Sequence, residues 1–363
     1  MFEIIFLIVL SGYFIQSVLF AIGASKIFPR LKESELPSAT VIVAARNEEN
    51  NIIRCLDSLD KLIYPDGKLE IIIVDDKSTD STGKLVEEFI AGKERFKKII
   101  TKKEIGRLIG KTNALANGIE IASGEVILTT DADCEVNPKW AMTIASYYLN
   151  DVAAVNGYTT QLAADAFSGM QALDFIYLLV AAAGTINLKI PISCIGNNMS
   201  YRKSAYNEVG GYANLPFSVT EDFNLLKSIY KLKKYKIIFP LNPDSLITSI
   251  PCKNITEIYR QKKRWSVGGL DVPLRGYFIM AWGFVANLAV LLTPFLFSSV
   301  WLSLVIFKIA IDFFLIYPVL KILGLQNNLK YFFIFQLYYT FYVVSIPFIL
   351  AINRKVIWKG REY

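Results

Sequence analysis

Asp131 and Asp133, separated by Ala132, close the apolar run Val126-Ile127-Leu128-Thr129-Thr130. The run reads as a buried β-strand, so the two carboxylates stand where the chain leaves the sheet. Mg2+ and Mn2+ are hard cations that bind through oxygen, commonly through one or two carboxylates with substrate phosphate oxygens completing the shell. A divalent metal meeting a diphosphate is the chemistry that suits this pair; the competing reading is a loop in which both side chains face water. The 363 residues include no histidine, which excludes a Ser-His-Asp triad and His-ligated zinc and leaves acid–base work to carboxylates before Lys, Tyr or Cys. The cysteines Cys55, Cys134, Cys194 and Cys252 form no C-x-x-C pair. That spacing argues against a zinc site and a disulfide framework and fits reduced thiols.

Between residues 38 and 253, strand-like and helix-like stretches alternate, as in a parallel α/β sheet. Ala39 to Ala45 is β-branched and apolar, and Arg46-Asn47-Glu48-Glu49-Asn50 leads from it into a helix with Ile52, Ile53, Leu56 and Leu59 on its apolar face. Leu69 to Val74 is a second strand, ended by Asp75-Asp76; a helix over about 80–91, a short strand near Lys98 to Ile100 and a helix from Asn113 to Ile121 precede the strand that carries Asp131. Open α/β sheets bind ligands beyond the carboxyl ends of their strands. The polar clusters after residues 45, 74 and 130 all fall there. No G-x-G-x-x-G follows a strand, and Gly106-Arg107-Leu108-Ile109-Gly110-Lys111-Thr112 has three residues between its glycines where a P-loop needs four. Lys111 can still set an ammonium beside a diphosphate.

The chain is too apolar to be wholly water-soluble: 53% of residues are hydrophobic and the mean hydropathy is +0.38. Ile4 to Ser25 carries no charge and is followed at once by Lys26, Arg30 and Lys32. It is long enough to span a hydrocarbon core of roughly 30 Å, and Glu3 ahead of it argues for a retained anchor over residues 1–25 rather than a cleaved signal. Tyr277 to Leu323 reads as two spans and Leu329 to Ile352 as a third, so residues 277–352 form the C-terminal membrane helices. Lys308 and Asp312, four apart on one helical face, read as a buried ion pair or as part of an acceptor pathway. Phe175 to Asn187 is apolar but too short to span and is expected to be a core or membrane-surface helix. The net charge of +7 concentrates beside apolar segments and in residues 253–264, which points to an anionic membrane face and not to nucleic acid. The basic flank of the first span puts the following domain in the cytoplasm. Four spans would then leave Arg354, Lys355, Lys359 and Arg361 of the tail, residues 353–363, on the far side, against the positive-inside tendency.

In order along the chain stand Arg46-Asn47-Glu48, Val74-Asp75-Asp76-Lys77-Ser78, Gly110-Lys111-Thr112-Asn113-Ala114-Leu115, Asp131-Ala132-Asp133, Gly196-Asn197-Asn198, Gly210-Gly211-Tyr212, Thr220-Glu221-Asp222 and Gln261-Lys262-Lys263-Arg264-Trp265. This series resembles the membrane-associated inverting glycosyltransferases of family 2, the group of the cellulose, hyaluronan and poly-N-acetylglucosamine synthases and ceramide glucosyltransferase. The resemblance runs from about 38 to 270 and extends to the flanking helices. It implies an α/β fold of the GT-A nucleotide-diphospho-sugar transferase kind over residues 38–253, facing the cytoplasm, with one N-terminal and about three C-terminal transmembrane helices.

Carried over by position, Ala45, Arg46, Asn47, Glu48, Asp75 and Asp76 would hold the nucleotide, with Asp75 or Asp76 accepting a hydrogen bond from a uracil-like ring. Lys111 would lie near the nucleotide or diphosphate. Asp131, Ala132 and Asp133 would face the diphosphate and a Mg2+ or Mn2+ ion, with Asp133 the more direct ligand and Asp131 beside it. Asp222 would be the general base, supported by Glu221; the bland alternative makes both first-turn helix residues favoured by the dipole. Gln261, Arg264 and Trp265, in an interfacial region over residues 254–276, would reach the diphosphate and stack on the acceptor, or simply anchor a basic surface helix. Gly210-Gly211 would turn beneath the acceptor cleft. The resemblance thus implies a transferase of the inner, cytoplasmic membrane with a nucleotide-sugar donor, in the first instance a UDP-sugar, and a lipid or short glycan acceptor in the bilayer. A processive polysaccharide synthase is one alternative, and a non-catalytic nucleotide-binding module is another.

Overall fold

The computed structural model describes residues 2–101, 104–216, 218–358 and 361–362. Its contacts divide the chain into two units: a helical unit of Met1–Lys26, Gln161–Ser193 and Pro251–Tyr363, and an α/β unit of Ile27–Thr160 and Cys194–Ile250. The chain opens with helix α1 (Phe2–Ala24). There follow β1 (Ala39–Ala45), α2 (Ile52–Asp60), β2 (Leu69–Asp75), α3 (Thr82–Ile90), β3 (Phe96–Ile100), α4 (Gly110–Ile121) and β4 (Val126–Asp131). Next come β5 (Glu135–Val136), α5 (Trp140–Ala145), β6 (Val152–Asn156), β7 (Thr159–Gln161) and the long α6 (Ala166–Asn187). The α/β unit resumes with β8 (Met199–Arg202), α7 (Lys203–Glu208), α8 (Glu221–Lys231), β9 (Lys236–Ile238) and β10 (Ile247–Ser249). Helices α9 (Ile255–Gly268), α10 (Leu274–Leu291), α11 (Ser299–Ile322) and α12 (Phe332–Ile352) lead to the strands β11 (Ile357–Trp358) and β12 (Arg361–Glu362).

The α/β unit is built on a seven-stranded sheet of order β3-β2-β1-β4-β8-β6-β9, with a smaller sheet β5-β10-β7. Strand β1 lies between two parallel neighbours, and its residues Val41, Ile42 and Val43 are wholly buried. Burial on both faces explains why it reads as a continuous apolar run without alternation. The register sets Ala45 opposite Asp75 and Ala44 opposite Asp131, so three polar loops leave one edge of the sheet at the same level. The sheet is mixed where the sequence pattern suggests a parallel one: β8 runs antiparallel to both β4 and β6. Strands of three to five residues carry too little periodicity to announce their direction.

The apolar stretch around residues 175–187 belongs to a helix that starts at Ala166, where the Asp165 carboxylate caps the N–H of Ser168 at 2.8 Å. Ser168, Gln171 and Asp174 break the apolar run in its first half, which is why the sequence reads too short. Five helices among the described residues, α1, α6, α10, α11 and the segment ending in α12, are long and apolar enough to cross a membrane. Connectivity removes α6 from single-pass candidates. β4 precedes it and β8 follows it, and the two pair in one sheet; one crossing would put paired strands on opposite sides of a bilayer. One N-terminal and three C-terminal candidates remain.

Within the helical unit α1 and α6 cross at glycines: a Cβ on Gly23 would lie 2.2 Å from the carbonyl oxygen of Gly184. Phe6, Leu10 and Tyr13 of α1 pack with Trp301, Val305 and Ile311 of α11. Lys308 and Asp312 form the expected ion pair, Nζ to Oδ2 at 2.7 Å. Arg354 and Lys355 of the tail are exposed; Lys359 lies outside the described residues.

Candidate active site

The first two strand-end loops are laced together. The N–H of Asn47 donates to Ser78 Oγ at 3.1 Å and the N–H of Thr79 to Asn47 Oδ1 at 2.9 Å. The N–H of Glu48 donates to Thr82 Oγ1 at 2.7 Å, and that of Ser81 to Glu49 Oε2 at 3.0 Å. Asn47 has a φ of 54° and Lys77 one of 57°; asparagine tolerates this left-handed region because its short amide bonds locally. Arg46 Nη1 donates to the Asp76 carbonyl at 3.0 Å and lies 3.5 Å from its Oδ2. Asp75 is committed to its own turn, its Oδ1 accepting from the Ser78 N–H at 2.8 Å and its Oδ2 lying 4.0 Å from Lys98 Nζ.

At the end of β4, Asp131, Ala132 and Asp133 meet the first turn of α4. Lys111 Nζ lies 2.5 Å from Asp131 Oδ1 and 3.7 Å from Glu221 Oε1. Burial works against the ammonium's charge, but Asp131, Glu221 and Asp222 outweigh it and hold Lys111 above the usual lysine range. Asp133 is pushed up to about 6 by burial, then by the charges of Asp131 and Glu48. Arg54 Nη2 donates to the Asp133 carbonyl at 2.5 Å and fixes the backbone of the pair. Two thiols flank it: Cys55 Sγ lies 3.6 Å from the Asp131 carbonyl, and Cys134 Sγ lies 3.4 Å from Asp133 Oδ1. Burial and those carboxylates raise both thiols, which keeps them neutral.

These residues fit a divalent cation. Asp133 resists ionisation because it is buried and, secondly, because it sits beside Asp131 and Glu48; a dication would offset both costs. Among the described residues no three His, Cys, Asp or Glu side chains form a metal-holding group.

Glu221 and Asp222 occupy the first turn of α8, as the helix-dipole reading requires, and also face the acidic end of β4 through Lys111. The N–H of Phe223 donates to Asp222 Oδ1 at 2.8 Å. Its other oxygen faces Gly196, where a Cβ would stand 3.1 Å from Oδ2. Gly196 is held by Thr129 of β4, whose Oγ1 donates to its carbonyl at 2.8 Å. Asn198 is buried, taking a hydrogen bond from Trp140 Nε1 at 2.9 Å and donating to the carbonyls of Tyr158 and Ser245. Asn197 accepts from Thr159 Oγ1 at 2.9 Å. The Gly196-Asn197-Asn198 run is therefore a buried scaffold behind Asp222. Cys194 is raised by burial and then by Asp222 and Glu221.

Gly210 and Gly211 turn with φ of 80° and 64° and line, with Ile105, Tyr206 and Ala213, a groove of about 530 Å³. Gln261, Arg264 and Trp265 lie on α9, in the helical unit. There Trp265 packs on Phe175 with ring centroids 5.4 Å apart, and Lys262, paired with Asp174, lies over the Trp265 ring at 4.4 Å. Sequence reasoning does not single out Cys55 or Cys194 as neighbours of the acidic pairs. Isolated cysteines distant in sequence carry no spacing that could reveal them.

A model of the glycosyl transferase family 2 matches residues 40–210, and one of the glycosyl transferase family group 2 matches residues 126–352. The chain belongs to glycosyl transferase family group 2. Among relatives of this family group 2 chain is a beta-monoglucosyldiacylglycerol synthase of Nostoc sp., 25% identical over 65% of this chain and 50% of that protein. Another is a poly-beta-1,6-N-acetyl-D-glucosamine synthase of Staphylococcus aureus, 26% identical over 73% of this chain and 62% of that protein. The chain spans about half the length of the first curated relatives it matches, with shares of 59%, 55% and 50%. The mannosyltransferase PcManGT from Pyrobaculum calidifontis, solved in complex with GDP-Man and Mn2+, superposes with a TM-score of 0.59 at 19% identity, covering 93% of this chain and 99% of that one. The fold of this family group 2 chain is thus GT-A.

Proposed function

We propose that the chain is an inverting glycosyltransferase that moves a sugar from a nucleotide-diphospho-sugar, in the first instance a UDP-sugar, to the hydroxyl of a membrane lipid or short glycan. One observation carries the reading: the end of β4 and the first turn of α8 face a single ammonium, Lys111, from two sides. That layout separates a cation-binding carboxylate pair from a base. In the reaction the acceptor oxygen bonds to the sugar C1 as the C1–O bond to the diphosphate breaks on the opposite face, and the hydroxyl proton passes to Asp222. Lys111 offers its charge to the departing diphosphate. Mg2+ or Mn2+ bound by Asp133 and Asp131 would supply a Lewis acid for that leaving group. Arg46, Asn47, Glu48, Asp75 and Asp76 shape the nucleotide end; Gln261, Arg264 and Trp265 keep the diphosphate and acceptor roles that the family resemblance implies.

The same proposal makes the chain an integral protein of the cytoplasmic membrane, its α/β unit on the side of Lys26, Arg30 and Lys32. Replacing Asp222 with Asn should lower transfer by about 10²–10⁴ while UDP binding, followed by calorimetry, persists. Undiminished turnover would assign the proton to another group. Assay of UDP- and GDP-sugars with Mn2+ in nanodiscs identifies the donor, and product length tests the acceptor. A single glycosylated lipid supports the reading, a long polymer replaces it with processive synthesis, and no turnover with any donor favours a binding module.

A further inference from the structure

The ammonium of Lys111 sits on an oxygen of Asp131, at 2.5 Å, a carboxylate the proposed mechanism gives to a divalent cation. Both cations cannot remain there, because a dication and an ammonium a few ångströms apart in a partly buried site repel far above thermal energy. A second acceptor stands ready: Glu221 Oε1 is 3.7 Å from the same nitrogen, and Asp222 also acts on it. Lysine has a long, flexible stem, so rotation of its last side-chain bonds changes partner without moving α4.

We infer that Lys111 is a built-in counter-ion that occupies Asp131 until a divalent cation displaces it, and then transfers to Glu221. The inference rests on the metal-dependent reading above. Its consequence is an interlock between cation loading and the base. Before loading, the ammonium offsets the acidic end of β4; after loading, its charge moves onto the turn of α8 that carries Asp222 and toward an arriving diphosphate. A lysine that served only as a fixed diphosphate contact would have no such effect on cation binding in the absence of donor.

The test is Mn2+ binding, read from the electron paramagnetic resonance signal of free Mn2+, on the full chain in nanodiscs without nucleotide. Lys111→Met removes the competitor and should tighten Mn2+ about tenfold. Lys111→Arg keeps the charge and adds a planar fork that grips a carboxylate in bidentate fashion, and should weaken Mn2+ several-fold. Opposite signs in the two variants, at melting temperatures close to that of the parent, support the interlock. Weakening in both, or no change in Lys111→Met, overturns it. A parent chain that takes up no Mn2+ at millimolar concentration overturns the metal-dependent reading itself, and this inference with it.

Discussion

Two lysine–aspartate pairs, one in each unit, use the same chemistry for opposite ends. In the helical unit Lys308 Nζ touches Asp312 Oδ2 at 2.7 Å, Asn287 Oδ1 at 2.8 Å and Gln336 Oε1 at 3.2 Å. Asp312 Oδ1 accepts from Tyr13 at 2.6 Å and Tyr177 at 3.3 Å, and neither Lys308 nor Asp312 has any exposure. One cation meets one anion, and α1, α6, α10, α11 and α12 each contribute a polar group. In the α/β unit Lys111 faces Asp131, Glu221 and Asp222, and the Asp131 side chain is 35% exposed. Here one cation faces three carboxylates, and the pair is open to solvent. A sealed pair specifies how helices assemble. An open one has room for a substrate or an ion.

That contrast can be broken first at its sealed member. Lys308→Met leaves Asp312 buried without its cation and should destabilise the helical unit by about 3–5 kcal/mol, seen as a large fall in melting temperature in detergent. Adding Asp312→Leu should restore most of the loss. A neutral single variant would mean that the pair is not closed.

The second way to sharpen the comparison lies within the α/β unit, between Asp133 and Glu70 near the amino end of β2. Burial pushes Glu70 up, but hydrogen bonds from Ser123 and Thr40, and one from Lys97, bring it down to about 2. A carboxylate with matched donors is thus held ionised, whereas Asp133, buried and then crowded by other acids, is held toward its neutral form. Because the folded value of Glu70 lies below its ordinary 4.5, its contribution is complete above about pH 4.5 and is lost as pH falls toward 2. Glu70→Gln should cost on the order of 2 kcal/mol at pH 7. In melts run at a series of pH values the gap to the parent should close over that acidic window; a constant gap would assign the loss to packing.

The smallest effect is expected at Gly196→Ala, whose methyl would stand 3.1 Å from Asp222 Oδ2. Shifting the base by a few tenths of an ångström should lower kcat several-fold with KM for the donor little changed. An equal rise in KM would move Gly196 to the donor side.

Much of this was legible in the residues. β1, β2 and β4 announce themselves because strands buried on both faces must be apolar throughout, and parallel pairing then forces their polar ends to one edge. Lys308 and Asp312 are four apart on a helix, so their contact is local. Lys111 and Asp131 come from different elements, and only the packing of α4 on the sheet, against β1 and β2, brings them together. The beginning of α6 was hidden by Ser168, Gln171 and Asp174, buried polar residues that break an apolar count without breaking the helix. Nor could the direction of β8 be read, since four residues hold barely two turns of the pleat.

The connectivity around α6 also bears on biosynthesis. As the chain leaves the ribosome, β4 is made well before β8, its neighbour in the sheet, and all of α6 emerges between them. Until β8 arrives, one side of β4 offers unpaired N–H and C=O groups to any strand nearby, which is the state in which nascent sheets aggregate. Closing that gap over so long an intervening segment is slow by topology alone. Handling of α6 during synthesis thus sets how long the half-made sheet waits for its missing strand.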